Sequence, residues 1–443
     1  MTTRKMSAWA ASLQWEDLPE EVQHRAIASV RDSTSVMFGG ANCDAARLAA
    51  DFARKTAGTV PLAAGGFSDL SGGAFANGSA AASLDYEDGH RLGGAIHPGG
   101  ITLAAALASS TPTSTVGDLL TATVAGYEVG LRAAGLLWPQ FSGDWYHCTG
   151  TSGTLAAATA SASMRGLSED GHFRTLVIAW SHAPMATFAL PMMKEAIGWG
   201  ASTGATAAAL AEAGFMKLAP DYNPLRPALF PATPFDRPGV EDDDYIQSIG
   251  STYEILNTYF KRYAACAYTH AAAHGLGTLM ASGLVADQIT SIVVGTHEGA
   301  LFLDDQTPMS LEHAQYSFPF VLAAVAVDGA AGQREIAEGR LSDERRRAFA
   351  GRVTVEHDSD MDREYPEHYG SRLRVHLRDG TVREETFLDT PAPNEEELHD
   401  KWMSLLSPRL SPADSESLLE GLADPGARLD EVMNPAWFAK GSG

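Results

Sequence analysis

Residues Gly153 to Arg165 read GTLAAATASASMR, a run in which almost every side chain is small. Alanine, serine, threonine and glycine leave no broad polar face on a helix, so a helix formed here is expected to be buried on several sides. Small side chains also let neighbouring helix backbones approach closely. Ile101 to Ser109, Leu119 to Leu137 and Thr203 to Gly214 have the same texture. Together these runs predict a large helical domain.

The ends of several helices are marked by residues with known terminal preferences. Pro19 suits the first turn of a helix and Gly39-Gly40 suits its end, which predicts a helix between them. Asp44 to Lys55 is a second candidate. Ser168, followed by two acidic residues, predicts a capped helix start, because its hydroxyl can accept a backbone N–H and acids favour a helix N-terminus.

The texture changes after about Ala265, where β-branched runs begin to alternate with helical ones. The predicted strands are Ile289 to Val294 and Val353 to His357. The predicted helices are Leu311 to Val327 and the polar Ser342 to Ala350, with Ser342 as its N-cap and Gly351 after its end.

The clearest β signal lies between Arg372 and Leu388, where apolar residues alternate with basic ones. Asp379-Gly380 is a typical two-residue hairpin turn, so the chain is predicted to reverse there and return over Thr381 to Leu388. Cross-strand pairs of opposite charge stabilise such hairpins. Arg372, Arg374 and Arg378 are expected to pair with Glu384 or Glu385.

These elements divide the chain into two predicted domains. Residues 1–265 form a large helical domain, and residues 266–393 form a smaller α+β domain. The remaining residues, 394–443, are helical again and are expected to complete the first domain. The predicted fold class is therefore mainly α.

Composition excludes several classes of protein. The formal net charge is −23 and the pI is about 4.9, the opposite of the balance that nucleic-acid binders and proteins of anionic membrane surfaces carry. Three widely spaced cysteines do not make a disulfide framework. The sequence has neither a secretory signal nor a run of about 18 apolar residues. We therefore expect a soluble cytoplasmic protein with neither nucleic acid nor a membrane as partner.

Leu84 to Gly100, LDYEDGHRLGGAIHPGG, concentrates titratable residues among glycines. The spacing of His90 and His97 matches no known metal motif and no phosphate-binding loop is present, so we predict no metal site. Pro98 holds His97 out of helical geometry just before a predicted helix. A histidine held in that way is a good acid/base candidate. Asp88 and His90 are open between a role in chemistry and ordinary capping.

Three further segments place polar residues in apolar or small-residue surroundings. In Trp145 to Ala160, His147 and Cys148 precede Thr149 and an alanine-rich helix, whose N-terminus favours an anion such as a carboxylate. Cys148 is interpreted as a packing residue.

Lys194 lies in a Met-rich segment, where a lysine either reaches the surface or binds an acidic substrate. His270 and His274 have helical i, i+4 spacing, which is open between metal binding and one buried and one surface histidine.

Taken in order, these segments resemble the MmgE/PrpD family, which includes 2-methylcitrate dehydratases, cis-aconitate decarboxylases and iminodisuccinate epimerases. The resemblance rests on motifs that follow one another in the family order over some 300 residues, and AFANGSAAASLDYEDGH with the following HPGG is the most distinctive. The others are LPEEVQHRAIASVRDSTSVMFGG, GYEVGLRAAG, WYHCTGTSGTLAAATASASMRGLSED, the segment around Lys194, KRYAACAYTHAA and LEHAQYSFPFVLAA.

The resemblance implies a large all-helical domain with a smaller α+β lid domain, a homodimer, and no organic cofactor. It implies that Asp85, His97, His147, Lys194 and His270 line a pocket. His97 and His147 would transfer protons, Asp85 would assist them, and Lys194 would anchor a carboxylate of a small carboxylic-acid substrate. Among the remaining polar residues, the expected substrate-binding side chains are Thr149, Arg91 and Lys261.

One departure from the family bears on the reaction. Decarboxylase-like members carry a tyrosine where this sequence has Phe320, and phenylalanine has no proton to donate. The leading hypothesis is therefore a cofactor-independent lyase, most simply a dehydratase, acting at a carbon next to a carboxylate of a di- or tricarboxylic acid. An epimerase or isomerase of an amino- or imino-dicarboxylate, a decarboxylase, and a ligand-binding relative without catalysis are the alternatives.

Overall fold

The protein is known from a computed structural model that describes most of the chain. The described residues are 2–91, 96–137, 148–184, 193–216, 233–236, 239–240 and 243–439. Within those ranges, no helix is both long enough and apolar enough to cross a lipid bilayer. The described chain is mainly helical, with one small sheet and one two-stranded ribbon.

The chain forms two compact units, of which the first comprises residues 1–83, 87–259 and 395–443. Its strands are β1 (Val60–Pro61) and β2 (Phe67–Ser68), which pair antiparallel. Its longer helices are α1 (Thr2–Ser12), α2 (Glu20–Gly40), α3 (Asp44–Ala53), α4 (Leu70–Ala82), α5 (Pro98–Ala108), α6 (Val116–Leu137), α7 (Cys148–Met164), α8 (Glu169–Ser181) and α9 (Met193–Glu212).

Small residues allow the central helices of this unit to pack at short range. A Cβ atom added to Gly130 of α6 would lie 2.5 Å from the Cβ of Ala156 in α7. The same addition at Gly126 would meet the carbonyl oxygen of Ala156 at 2.8 Å. Both distances are below ordinary contact, so these glycines permit the approach of the two helices. The predicted burial of GTLAAATASASMR is confirmed, because Leu155 to Ser161 are all buried.

The predicted helix starts and stops are mostly confirmed. Helix α2 begins after Pro19 and ends at Gly40, while α8 is capped by Ser168, whose side chain accepts the N–H of Gly171. The C-terminal helices of this unit are α16 (Glu395–Leu406), α17 (Pro412–Gly421), α18 (Leu429–Val432) and α19 (Ala436–Ala439); a short α10 (Asp244–Gln247) lies earlier in the chain.

The C-terminal segment is joined to α2 by one buried carboxylate. Asp32 accepts hydrogen bonds from the indole Nε1 of Trp402 at 3.0 Å and from the ammonium of Lys401 at 2.8 Å. All three side chains are buried, so the partners satisfy a charge that would otherwise be costly. The helices after residue 394 thus belong to the first compact unit. The division at residues 265 and 394 into separately folding domains stays a prediction.

The second unit comprises residues 84–86 and 260–394. A four-stranded sheet in the order β4–β3–β5–β6 forms its β part, with β3 and β4 parallel and the other pairs antiparallel. The strands are β3 (Ile289–Thr296), β4 (Val353–His357), β5 (Ser371–Leu377) and β6 (Val382–Phe387). The helices are α11 (His270–Ala281), α12 (Leu311–Gln315), α13 (Phe318–Asp328), α14 (Glu344–Ala350) and α15 (Ser359–Glu364).

The predicted hairpin of the sheet is confirmed. Its turn differs from the predicted two-residue turn. His376 opposes Val382 and the N–H of Leu377 donates to the carbonyl of Thr381, so Arg378, Asp379 and Gly380 form a three-residue loop. Arg374 opposes Glu384 across the pair. The Nε of Arg374 lies 2.8 Å from the Glu384 carboxylate, and Arg372 reaches the same carboxylate at 3.8 Å. The expected pairing of Arg378 is wrong. Its guanidinium donates to the carbonyl of Asp287 instead, because Arg378 lies beyond the last residue of β5 that opposes β6.

Two helix predictions in the second unit are wrong in detail. The predicted helix over Leu311 to Val327 is two helices, α12 and α13, because Pro319 opens a new first turn and the Ser317 side chain caps it through the N–H of Phe320. The N-cap of α14 is Asp343, not Ser342. The Asp343 carboxylate accepts the N–H groups of Arg345 and Arg346 at 2.9 and 3.3 Å.

Candidate active site

His97 is the N-cap of α5 in the first unit. Its backbone is not helical, with φ −107° and ψ 89°, and Pro98 occupies the first helical position. The side chain is buried. The position predicted for His97, outside helical geometry and directly before a buried helix, is confirmed. Its role in catalysis stays a prediction.

Two hydrogen bonds fix the orientation of His97. Its backbone N–H donates to Thr149 Oγ1 at 3.0 Å, and its ring Nδ1 lies 2.8 Å from the carbonyl oxygen of Asp88. A carbonyl oxygen can only accept, so Nδ1 must carry a proton. In the neutral ring Nε2 therefore holds the lone pair, which makes Nε2 the atom able to act as a base.

Asp88 lies directly behind His97 and is completely buried. Its Oδ1 accepts the N–H of Gly99 at 3.0 Å, and its Oδ2 accepts the hydroxyl of Tyr127 at 2.7 Å. Burial raises the pKa of this carboxyl to about 7, although the Tyr127 hydrogen bond opposes the rise. The capping interpretation of Asp88 is confirmed, because its carboxyl group bonds the first turn of α5.

Gly99 leaves the space that this arrangement needs. A Cβ atom at Gly99 would lie 2.2 Å from Ser33 Oγ and 2.5 Å from Asp88 Oδ1. Non-bonded contacts this short are essentially never found for a Cβ atom. A larger residue would therefore push the carboxyl of Asp88 or the hydroxyl of Ser33 away. The glycines of HPGG therefore have a packing role beside the histidine as well as a place in the helix start.

Asp85 and Lys261 form a buried ion pair in the second unit. The Lys261 ammonium donates to Asp85 Oδ1 at 2.7 Å and to the Asp85 carbonyl oxygen at 3.0 Å. Asp85 has φ +48°, the left-handed region that aspartate tolerates better than most residues. The sequence suggested separate roles, with Asp85 assisting catalysis and Lys261 binding a substrate carboxylate. The structure brings the two side chains together, so the Asp85 carboxylate balances the charge of Lys261.

His270 lies at the start of α11 and is buried. Its Nε2 donates to the carbonyl of Ala265 at 3.1 Å, and its ring meets Tyr263 edge-on at 5.1 Å between centroids. His274, one turn later, is only partly buried. The pair thus follows the pattern of one buried and one surface histidine. A substrate-binding role for His270 stays a prediction, carried by Nδ1 because Nε2 holds the proton.

Two other residues of the glycine-rich segment have structural contacts in the first unit. His90 is buried, with Nε2 3.2 Å from the Glu254 carboxylate. Arg91 places its guanidinium 5.8 Å from the ring centroid of Tyr259, a cation–π contact. His90 is therefore accounted for by its carboxylate partner, and Arg91 remains a candidate substrate ligand.

For three of the residues singled out in the sequence, the structure does not describe the side chain. His147 falls in 138–147, outside the described residues. Lys194 lies in the first turn of α9, and Cys148 opens α7, but only their backbones are described. The assignments of His147 as a proton-transfer group and Lys194 as a carboxylate anchor stay predictions.

Tyr127 is the neighbour of the site that the sequence did not single out. It lies in GYEVGLRAAG on α6 and is fully buried. Burial, together with the nearby Asp88 carboxyl, raises its pKa well above the ordinary value, so it remains a hydrogen-bond donor. A tyrosine in a run of small residues signals a buried hydroxyl that needs a partner. Its acceptor, however, lies 39 residues earlier in the chain.

Comparison with known proteins accounts for most of the chain. The MmgE/PrpD N-terminal domain matches residues 4–220, and the MmgE/PrpD C-terminal domain matches residues 263–423. The chain belongs to the MmgE/PrpD family. The resemblance read from the motifs is confirmed, and His97 lies within the N-terminal match.

Characterised relatives of this MmgE/PrpD protein include two cis-aconitate decarboxylases. The human enzyme is 27% identical over 440 residues, which cover 91% of this chain and 87% of the relative. The enzyme of Aspergillus terreus strain NIH 2624 / FGSC A1156 is 22% identical over 434 residues, covering 90% and 88%. The similarity extends over nearly the whole of each protein at low identity.

Proposed function

We propose that this protein is a cofactor-independent lyase that acts on a di- or tricarboxylic acid. The observation that carries the proposal is His97, a buried histidine whose Nδ1 proton is held by the Asp88 carbonyl. A base with a defined tautomer is what proton removal next to a carboxylate requires. Membership of the MmgE/PrpD family and the relatives named as lyases support the same class of reaction.

The simplest reaction is dehydration. Nε2 of His97 would take a proton from the carbon next to a carboxylate, and the electron pair of that C–H bond would form a carbon–carbon double bond. Hydroxide would leave from the neighbouring carbon and take a proton from a second group, His147 in our proposal, to depart as water. Lys194, with Arg91, Thr149, His270 and Lys261 as further candidates, would hold the carboxylates. The reaction is balanced without an oxidant or reductant.

Decarboxylation is the second candidate, because the relatives are cis-aconitate decarboxylases. In that reaction carbon dioxide leaves and the resulting carbanion must receive a proton. Decarboxylase-like members of the family resemble one another in having a tyrosine at one position. This chain has Phe320 there, and its side chain is fully buried. Its ring packs 6.0 Å from the Arg346 guanidinium. Phenylalanine supplies no proton, and this favours dehydration over decarboxylation.

The test is an assay of the purified protein in deuterated water. A panel of citrate-like acids, 2-hydroxy dicarboxylic acids, cis-aconitate and amino-dicarboxylates would be followed by proton NMR. Dehydration gives a new vinyl signal, whereas decarboxylation gives a product one carbon shorter. Exchange of the Cα proton without net product would instead indicate an epimerase.

Variants of His97 separate catalysis from binding. We expect His97→Ala to lose turnover while keeping its fold, as judged by circular dichroism. A folded wild-type protein that turns over no member of the panel would reject the proposed lyase. Binding of a carboxylic acid without turnover, unaffected by His97→Ala, would favour the ligand-binding alternative.

A further inference from the structure

We propose that Asp88 is a positioning residue for His97, with a side chain that fixes the backbone carbonyl which selects the His97 tautomer. This inference rests on the proposed role of His97 as base and deepens it. Neither the family motifs nor the proposed mechanism assigns Asp88 a function in the reaction. Asp88 acts through His97 and is not itself proposed to touch the substrate.

The carboxyl group of Asp88 is held by two separate parts of the first unit. Oδ1 accepts the N–H of Gly99 at 3.0 Å, which ties Asp88 to the residue two positions after His97. Oδ2 accepts the Tyr127 hydroxyl at 2.7 Å, which ties it to α6. Through these two hydrogen bonds Asp88 is joined both to Gly99 in the first turn of α5 and to Tyr127 in the long buried helix α6.

The backbone of Asp88 then determines which nitrogen of His97 is protonated. The Asp88 carbonyl oxygen lies 2.8 Å from Nδ1, and the His97 N–H is held from the other side by Thr149 Oγ1 at 3.0 Å. With the carboxyl group fixed, the carbonyl of the same residue has little freedom to turn away. Loss of the two hydrogen bonds to the Asp88 carboxyl group would let the Asp88 carbonyl move and remove the preference for a proton on Nδ1.

Burial strengthens the hydrogen bonds that hold the Asp88 carboxyl group in place. Asp88 and Tyr127 have no exposed surface, and His97 is about 5% exposed. Hydrogen bonds in such surroundings are stronger than in water. Gly99 leaves the required room, since a Cβ there would collide with Asp88 Oδ1 at 2.5 Å. Orientation of a catalytic group at this level matters, because a displacement of about 1 Å can cost about 100-fold in rate.

The first test measures the tautomer directly and needs no substrate. Protein labelled with 15N in its histidine rings would be compared with Asp88→Ala, and the His97 signals would be assigned from His97→Gln. We expect the wild type to have the proton on Nδ1 and Asp88→Ala to lose that preference. An unchanged His97 tautomer in a folded Asp88→Ala protein would overturn the inference.

The second test uses kinetics on whichever substrate the panel identifies. We expect Asp88→Ala to lower kcat about 100-fold with KM changed less than about threefold. Asp88→Asn keeps an oxygen for the Gly99 N–H and should recover most of the lost kcat. Tyr127→Phe removes one donor without changing shape, and serves if Asp88→Ala does not fold.

Glu128→Gln is the matched control. Glu128 is an equally buried carboxylate on α6, and it bonds Arg132 and the N–H of Ile255 instead of the segment before α5. We expect this variant to lose stability while keeping kcat. An equal loss of kcat in Glu128→Gln and Asp88→Ala would reduce Asp88 to a structural role. Full activity in His97→Ala would instead reject the proposed base, whatever the tautomer.

Discussion

The Asp85–Lys261 pair is the buried charge interaction of the second unit with the clearest energetic consequence. Both side chains are almost fully buried, and their charged atoms are 2.7 Å apart. Removing one partner leaves the other charge buried without compensation, which costs about 3–5 kcal/mol. We therefore expect Asp85→Asn to lower the free energy of unfolding by about that amount, measured by urea denaturation. Asparagine tolerates φ +48°, so the loss reports charge and not backbone strain.

A double variant provides the internal check on this interpretation. Asp85→Asn with Lys261→Met removes both charges and should recover part of the lost stability. Arg47→Ala breaks the exposed pair of Arg47 with Asp44, and such pairs contribute less than about 1 kcal/mol. Equal losses from the buried and the exposed pair would contradict the argument.

Asp88 predicts a particular dependence of stability on pH. Burial raises its pKa to about 7, against about 3.9 in an unfolded chain. The folded protein thus binds this proton more tightly, and the contribution of Asp88 to stability falls as pH rises from about 4 to about 7. The charged and titratable groups around it are Arg25, Asp32, Tyr127 and Lys401. In Asp88→Asn that titration is absent.

The measurement is the free energy of unfolding of the wild type minus that of Asp88→Asn. We expect this difference to fall across the interval from about pH 4 to about pH 7, by no more than about 1.4 kcal/mol per pH unit, and to be constant above it. A difference that stays constant between about pH 4 and about pH 7 would show that Asp88 is ionised well below neutrality in the folded protein.

The position of His97 directly before a buried helix could be predicted from the sequence, whereas the contacts of Asp88 could not. Proline after a histidine restricts its backbone locally, and three neighbouring residues carry that information. The contacts of Asp88 with Tyr127 and Gly99 depend on how α6 packs against the start of α5. Lys261, the partner of Asp85, lies 176 residues away in the chain, so local sequence signals cannot predict this contact either.

At the level of single elements, the start of α14 offers a test between neighbouring residues. Asp343 caps this helix through two backbone N–H groups, while Ser342 precedes it. Replacing a capping aspartate by alanine costs about 0.5–2 kcal/mol. We expect Asp343→Ala to lower the free energy of unfolding by that amount and Ser342→Ala to change it by less than about 0.5 kcal/mol. Thermal or urea denaturation of the two variants decides, and a larger loss from Ser342→Ala would overturn the cap assignment.

Glycines in two helices should respond to alanine in opposite directions. Gly130→Ala places a methyl group 2.5 Å from the Ala156 side chain and should force α6 and α7 apart, at a cost of about 1–3 kcal/mol. In α11, a methyl group at Gly277 meets only Val325 Cγ1 at 3.9 Å. Gly277→Ala should therefore stabilise the protein by about 0.5–1 kcal/mol, since alanine favours helix. Changes of the same sign in both variants would contradict the packing argument.

Elements were predictable where the signal was local. Helix α2 between Pro19 and Gly40 and the turn at Asp379-Gly380 depend on residue types that fix backbone geometry over a few positions. The break between α12 and α13 does not follow from hydrophobicity, because the apolar run Phe318 to Val327 continues the helical pattern across it. Pro319 and the Ser317 cap determine where the second helix starts, and these two local signals outweigh the continuous apolar pattern.

For the molecule as a whole, the outstanding expectation is a homodimer formed through the helical unit. The surface of that unit carries an apolar patch, defined here as Leu48, Phe52, Phe75 and Trp199. Leu48, Phe52 and Trp199 are 69, 57 and 50% exposed, and the ring of Phe75 lies between those of Phe52 and Trp199. Clustered exposed aromatic residues commonly mark protein interfaces. A patch that meets its own copy about a two-fold axis would form a closed dimer.

The net charge determines how that dimer should respond to salt. Each copy carries −23, so two copies repel each other at long range, and added salt screens the repulsion. We predict that light scattering gives the mass of a dimer, with dissociation on dilution that becomes weaker as salt rises from about 0.05 to about 0.5 M. Trp199→Asp should yield a monomer, while Phe302→Asp, at an exposed site of the second unit, should remain dimeric. A monomeric wild type at micromolar concentration would reject the dimer, and a dimeric Trp199→Asp would move the interface to another surface.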